Sequence, residues 1–170
     1  MELRADAQRN RAAILAAAAA VFAEHGARAT TEQVAREAGV AVGTVFRHFQ
    51  TKDALLVAIM KGSLERLAGL AEGATLAEFF GAVVDEAAGT RTVVEALAPR
   101  GLEVGDALGG LKDTTARLLA AAKKSGDVRR DVRIDEVMAL LTALAQAAQQ
   151  ASWTADLRRR TLRIVLAGMR

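Results

Sequence analysis

Apolar residues recur at three- and four-residue intervals along almost the whole chain, the spacing of helices that each bury one face. Ile14, Ala18, Val21 and Phe22 stand at i, i+4, i+7 and i+8, which predicts a long first helix from an Asp6 N-cap to about His25, stopped by Gly26. Phe22 is then a core residue, and residues 1–5 are expected to form a mobile arm. Thr30 followed by Gln33 has the spacing of a capping box and opens a second, two-turn helix with Val34, Ala35 and Ala38 facing inward. Gly39 falls at its end, where a positive φ is needed and a residue without Cβ takes it cheaply. After a tight turn, the segment from Val42 to Phe49 carries Val45 and Phe49 as anchors at i and i+4, so Gly43, Thr44, Arg47 and His48 point elsewhere. A helix this short, with small residues and then an Arg-His pair on its free side, suits insertion into a major groove.

The pattern continues helical. Thr51 caps a fourth helix, KDALLVAIMKGSLERLAGL, and Thr75 with Glu78 opens a fifth that buries Leu76, Phe79, Phe80, Val83 and Val84. Gly89 to Thr92 is expected to break it, with a short helix after the break ending at Pro99. Arg100 to Gly110, with four glycines, reads as a loop. A further helix runs from about Leu111 to Ser125, ends at Gly126 and carries Lys123 and Lys124 near its negative end. After the charged connector DVRRDVR, two last helices are expected at about Asp135–Gln150 and Thr154–Met169. Val137, Leu141, Leu144 and Ala148 form one stripe, widened by Met138 and Ala145; Leu157, Ile164 and Val165 are joined by Leu162, Leu166 and Met169. Faces that broad in so small a body predict burial against a partner as well as the core. The fold class is therefore all-α with about nine helices: a three-helix head over 1–51 and a helical-bundle body over 52–170, with helix 4 long enough to link the two.

Composition narrows the function. The chain is 52% hydrophobic and 4% aromatic, with one proline and no tyrosine, which fits an all-helical protein rather than a sheet. Ala16 to Ala20 is too short and too flanked by charge for a membrane span or a signal peptide, so the expected location is the cytoplasm. There is no cysteine, hence no disulfide or thiol sensor, and both histidines lie in the first 50 residues, which leaves the body without a His or Cys metal cluster. No Walker or Rossmann phosphate loop and no zinc-spaced His-Glu pair is present. Ser63, Ser125 and Ser152 are far in sequence from His25 and His48. No catalytic residue, metal or cofactor is expected. Residues 1–60 hold seven Lys or Arg against six acids, a balance of +1, so a nucleic-acid reading rests on where charges sit and not on their sum.

The run AGVAVGTVFRHFQTKDALL resembles the DNA-binding signature of the TetR/AcrR family of bacterial transcriptional repressors, with a close match from about Asn10 to Leu56. The resemblance implies a homodimer, a three-helix head that reads double-stranded DNA, and a helical body that takes a small effector, with the last two helices of each subunit building a four-helix interface. Leu141, Leu144, Ala148, Leu162, Val165 and Leu166 are the residues expected in that interface.

Within the head, Thr44 can offer a hydroxyl to phosphate or a methyl to thymine, with Gly43 beside it letting the backbone come close. Arg47 is the one long donor on the free face and suits guanine or phosphate. His48 either positions phosphate or packs against helix 1. Phe46 stands where relatives carry tyrosine, so it offers packing or a thymine-methyl contact in place of a phosphate hydrogen bond. Ala41 replaces the usual capping serine, and Val42 has no donor; these departures shift weight from base readout to phosphate positioning and indirect readout. Thr30 is accounted for as a cap, leaving Thr31 as the freer hydroxyl near amides that can bind phosphate. Lys52 opposes the dipole at its helix start, which marks it either as a phosphate anchor or as plain surface. Arg4, Arg9 and Arg11 are either a solvated face or phosphate contacts.

In the body Met60, Phe79, Phe80, Met138, Gln146 and Trp153 are candidate effector contacts, and so apolar a set points to an apolar effector. Trp153 suits core or dimer packing better than a pocket wall. The reading that follows is a transcriptional repressor that binds a palindromic operator as a dimer and lets go when an effector binds. The alternative is a helical ligand-binding or scaffold protein whose head has lost specific DNA binding.

Overall fold

A computed structural model describes residues 2–97, 105–151 and 153–170, with the backbone alone for 2–5 and 105–109. Eight α-helices occur among them: α1 (Glu2–His25), α2 (Thr31–Glu37), α3 (Val42–His48), α4 (Lys52–Leu70), α5 (Leu76–Leu97), α6 (Gly105–Ser125), α7 (Ile134–Gln150) and α8 (Ala155–Gly168). A single 3-10 turn, Gly26–Arg28, follows α1. No strand occurs among the described residues, so the fold is all-α as expected.

The chain divides into two compact units, Met1–Gly62 with Thr90–Leu102, and Ser63–Gly89 with Glu103–Arg170. The first is built on a core of Ile14, Ala18, Val21 and Phe22 from α1, Val34 and Ala35 from α2, and Val45 and Phe49 of α3 and its cap. Leu55, Leu56 and Ile59 of α4 close this core, so the unit runs past residue 51, where the sequence suggested its edge. The last turns of α5 complete it with Val93, Ala96 and Leu97. The second unit buries Leu67, Phe79, Phe80, Val83 and Val84 against Leu118 and Leu119 of α6, Val137, Leu141 and Leu144 of α7, and Leu162 of α8.

Helix ends follow the sequence closely in most places. Thr30 and Gln33 exchange both capping bonds, Thr30 N–H to Gln33 Oε1 at 2.8 Å and Gln33 N–H to Thr30 Oγ1 at 3.3 Å. At the other end of α2, Gly39 has φ +67°, and the amides of Gly39 and Val40 donate to the carbonyls of Arg36 (3.2 Å) and Ala35 (3.0 Å), a Schellman closure. Thr51, Thr75 and Thr154 each accept an amide bond as caps.

Three expectations give way. Helix α1 begins at Glu2, so Asp6 is no N-cap; it lies inside the helix and pairs with Arg9. Helix α5 runs unbroken through Gly89, so one helix stands where a break and a second short helix were expected. Glycine within a helix costs about 1 kcal/mol relative to alanine. Burying one large apolar side chain returns about 1.5–3 kcal/mol, and α5 buries Val93 and Leu97 beyond the glycine. Gly105 to Gly110 is helical, the first part of α6, where a loop was expected; residues 100–104, and the expected helix end at 98–99, lie outside the described residues.

Candidate functional site

Helix α3 is a seven-residue segment held by its buried side. Val45 is 0% exposed and Phe49 caps the helix from inside the core. Anchored there, α3 turns outward Gly43, Phe46 and Arg47, with Phe46 45% exposed. Thr44 and His48 are half-buried, and Val42 is partly packed on the core. A Cβ at Gly43 would meet nothing, so a partner can approach the backbone closely at that point. Ala41 is the N-cap in extended conformation and supplies no side-chain bond, as its identity demands.

The flanks of α3 are organised by two cations. The Arg11 guanidinium of α1 lies 5.4 Å from the centre of the Phe49 ring, which places it beside the end of α3. The ring of His48 tilts against the same Phe49 at 6.4 Å. Lys52 donates from Nζ to the carbonyl of Ala27 at 2.6 Å and stands 5.4 Å over the Phe22 ring. Lys52 is therefore a clamp between the start of α4 and the turn after α1, a role neither sequence alternative contained. A long-range contact of this kind leaves no local trace in the sequence.

The start of α2 is less favourable to an anion than its amides suggest. Thr31 is half-buried, with its hydroxyl 3.5 Å from Glu32 Oε2. Glu32 is held below its ordinary pKa by its own backbone amide and then by the Thr30 hydroxyl, so a carboxylate sits in the first turn. That negative charge opposes a phosphate at the same helix end.

The second unit contains an open cavity of about 320 Å³ lined by Leu64, Glu65, Leu67, Ala68, Phe79, Gly110, Leu111 and Thr114. Of the candidate effector contacts, Phe79 lines it. Phe80 is buried in the core, and Met138 and Trp153 pack on that core. Met60, partly buried, packs on the first unit's core, and Gln146 is exposed. The apolar pair Leu64 and Ala68 on α4, outside the stripe that fills the core, is the signal that would have located the cavity.

Leu141, Leu144, Ala148 and Leu162 are buried within the subunit, while Val165 and Leu166 are partly buried on the same core. The large apolar residues left exposed on α7 and α8 are Leu140, Leu157 and Ile164, with Ile164 75% exposed. Leu140, Ala143 and Ala147 fall at i, i+3 and i+7, one stripe of α7. No helix among the described residues is long and apolar enough to cross a membrane.

A helix-turn-helix with an anchored, outward-facing second helix, joined to an all-helical unit with an apolar cavity, defines a two-part helical DNA-binding regulator. Residues 14–59 match the model of bacterial regulatory proteins of the tetR family, and residues 71–170 match that of the SbtR-like transcriptional regulator C-terminal domain. The chain belongs to the TetR family of transcriptional regulators, whose members are DNA-binding regulators rather than enzymes. It is similar to a TetR transcriptional regulator from Streptomyces coelicolor, at 31% identity over 94% of this chain and 98% of that one, with a TM-score of 0.78. A TetR transcription regulatory protein from Mycobacterium vanbaalenii is 34% identical over 99% of both chains, with a TM-score of 0.76. The HTH-type transcriptional repressor KstR2 of Rhodococcus jostii is 40% identical over 60 residues, 35% of this chain and 29% of that protein's length.

Proposed function

We propose that this regulator is a repressor that binds a palindromic operator as a homodimer, one α3 per half-site, and is released when a small effector occupies the body cavity. The observation that carries the reading is α3 itself: buried through Val45 and Phe49, it presents Gly43, Phe46 and Arg47 outward with Thr44 beside them. Arg47 is assigned to guanine or phosphate, Thr44 and His48 to phosphate, and Val42 and Phe46 to apolar contact with the groove. Thr31 is assigned a peripheral phosphate contact weakened by Glu32. Lys52 adds positive charge at the groove edge while clamping the head. A repressor among the relatives supports the sign of regulation.

Release is assigned to α4, which contributes Leu55, Leu56 and Ile59 to one core and Leu67 to the other, with Leu64 and Ala68 at the cavity. An effector acts only through different affinity for the DNA-bound and released conformations; a coupling of about 1–3 kcal/mol weakens operator binding roughly 5- to 150-fold. The test is operator affinity measured on the protein's own promoter against random duplex. Specific binding is expected, with Arg47→Ala costing about 1–3 kcal/mol. Equal affinity for promoter and random DNA would favour a head that has lost specific reading, as Ala41, Val42 and Phe46 allow.

A further inference from the structure

We propose that the cavity of the second unit takes a small lipophilic cation, an apolar body bearing a protonated amine, with Glu65 as its counter-charge. The proposal rests on the reading of this cavity as the effector site and names the chemistry of what fills it. Its walls are Leu64, Leu67, Phe79 and Leu111, a set that gains from an apolar ligand by removing hydrocarbon surface from water. At about 320 Å³ it lies near the lower end of the range for ligand pockets, roughly 300–1,000 Å³.

The polar groups decide the sign of charge. Among the described residues Glu65 is the single ionisable one in the lining, and Thr114 adds one hydroxyl. Among the described residues no ion pair or hydrogen bond engages the Glu65 side chain. Of the cations near lining residues in sequence, Lys61 is exposed and outside the lining, and three others are engaged elsewhere. Arg66 binds Glu86 at 2.6 Å, Lys112 pairs with Asp135 at 3.5 Å, and Arg117 donates to the Ala71 carbonyl at 3.1 Å. None of the three lines the cavity. An anionic ligand would therefore meet an uncompensated carboxylate, and a neutral one would leave that carboxylate with water alone. An ammonium gains a charge-assisted hydrogen bond to Glu65, with the Thr114 hydroxyl able to accept a second N–H.

Three probes of one shape test this on the full chain without DNA: 1-naphthylmethylamine, 1-naphthylmethanol and 1-naphthoate, titrated by calorimetry. The amine should bind about ten-fold more tightly than the alcohol, one decade for a partly desolvated ionic hydrogen bond, and the acid should bind weakest. Glu65→Gln, at an exposed position that the fold tolerates, should bring the amine to the level of the alcohol while the melting temperature holds. Binding of the acid as tight as the amine, an amine preference that survives Glu65→Gln, or no binding by any of the three would overturn the assignment. Operator affinity with saturating amine is read separately. An amine that binds through Glu65 yet leaves operator affinity unchanged upholds the ligand class and removes the release mechanism alone.

Discussion

Thr75 and Glu78 hold the start of α5 by reciprocal bonds, Thr75 N–H to the Glu78 carboxylate at 2.8 Å and Glu78 N–H to Thr75 Oγ1 at 3.2 Å. The backbone amide and then the hydroxyl of Thr75 lower the Glu78 pKa from the ordinary 4.5. A carboxyl whose folded pKa is depressed stabilises the fold above its unfolded pKa and loses that stabilisation as pH falls through the folded one. Wild type should therefore lose stability relative to Glu78→Gln as pH drops below 4.5, and melting curves of the two proteins across that interval check it. The Thr30 box at α2 is of the same kind, and Thr30→Ala should cost about 1 kcal/mol in denaturant unfolding. Lys52 separates two roles in one variant. Lys52→Ala should lower stability through loss of the bond to Ala27. If the ammonium also meets phosphate, the same variant flattens the salt dependence of operator binding by about one unit, for all sequences alike. A lower melting point with an unchanged salt slope assigns Lys52 to the clamp only.

Among the elements, α5 shows how packing overrides a local breaker. Gly89 lies inside the helix, and a Cβ added to it would meet nothing. Gly89→Ala should thus raise stability by up to about 1 kcal/mol, measured by denaturant unfolding; a destabilised variant would show that the helix does not run through this point. Helix α4 is tied to α5 inside the second unit by a polar cluster in which the buried Ser63 hydroxyl donates to Glu86 and Arg66 reaches the same carboxylate at 2.6 Å. Ser63 sits one residue before Leu64 of the cavity, so this cluster fixes the α4 backbone where the ligand would press on it.

At the scale of the whole molecule, the question is which apolar face a second copy covers. Of the residues expected at the interface, Leu144 on α7 and Leu162 on α8 are buried in their own subunit, each 8% exposed. Leu140, at 38%, and Ile164, at 75%, stand outside that core. Leu140→Glu or Ile164→Glu should give a folded monomer with lost operator affinity, whereas Leu144→Asp should unfold the second unit itself by placing an unpaired charge in its core. Light scattering and circular dichroism on the three variants distinguish the cases. A dimer that survives both surface changes would move the interface elsewhere.

Local physical chemistry determined much of this protein from its sequence. The helical period, the threonine caps with Gln33 and Glu78, the glycines at positive φ, and the anchored helix-turn-helix depend on residues within a few positions of one another. For that reason the fold class, the α2–α3 pair and the outward placement of Gly43 and Arg47 were legible from the residues alone, whereas Thr44 and His48, expected on the same free face, are half-buried and Phe46 is exposed in their place. Tertiary structure decided whatever depended on distant partners. Packing of Val93 and Leu97 kept α5 continuous through Gly89, and the Ala27 carbonyl claimed Lys52. The choice between core and free face on α7 and α8 depends on the residues that α5 and α6 contribute to the same core, among them Phe80, Val84 and Leu118, which no periodicity on those two helices can reveal. The cavity belongs to the same class, because its walls come from α4, α5 and α6, and a void exists only once three helices have been packed together.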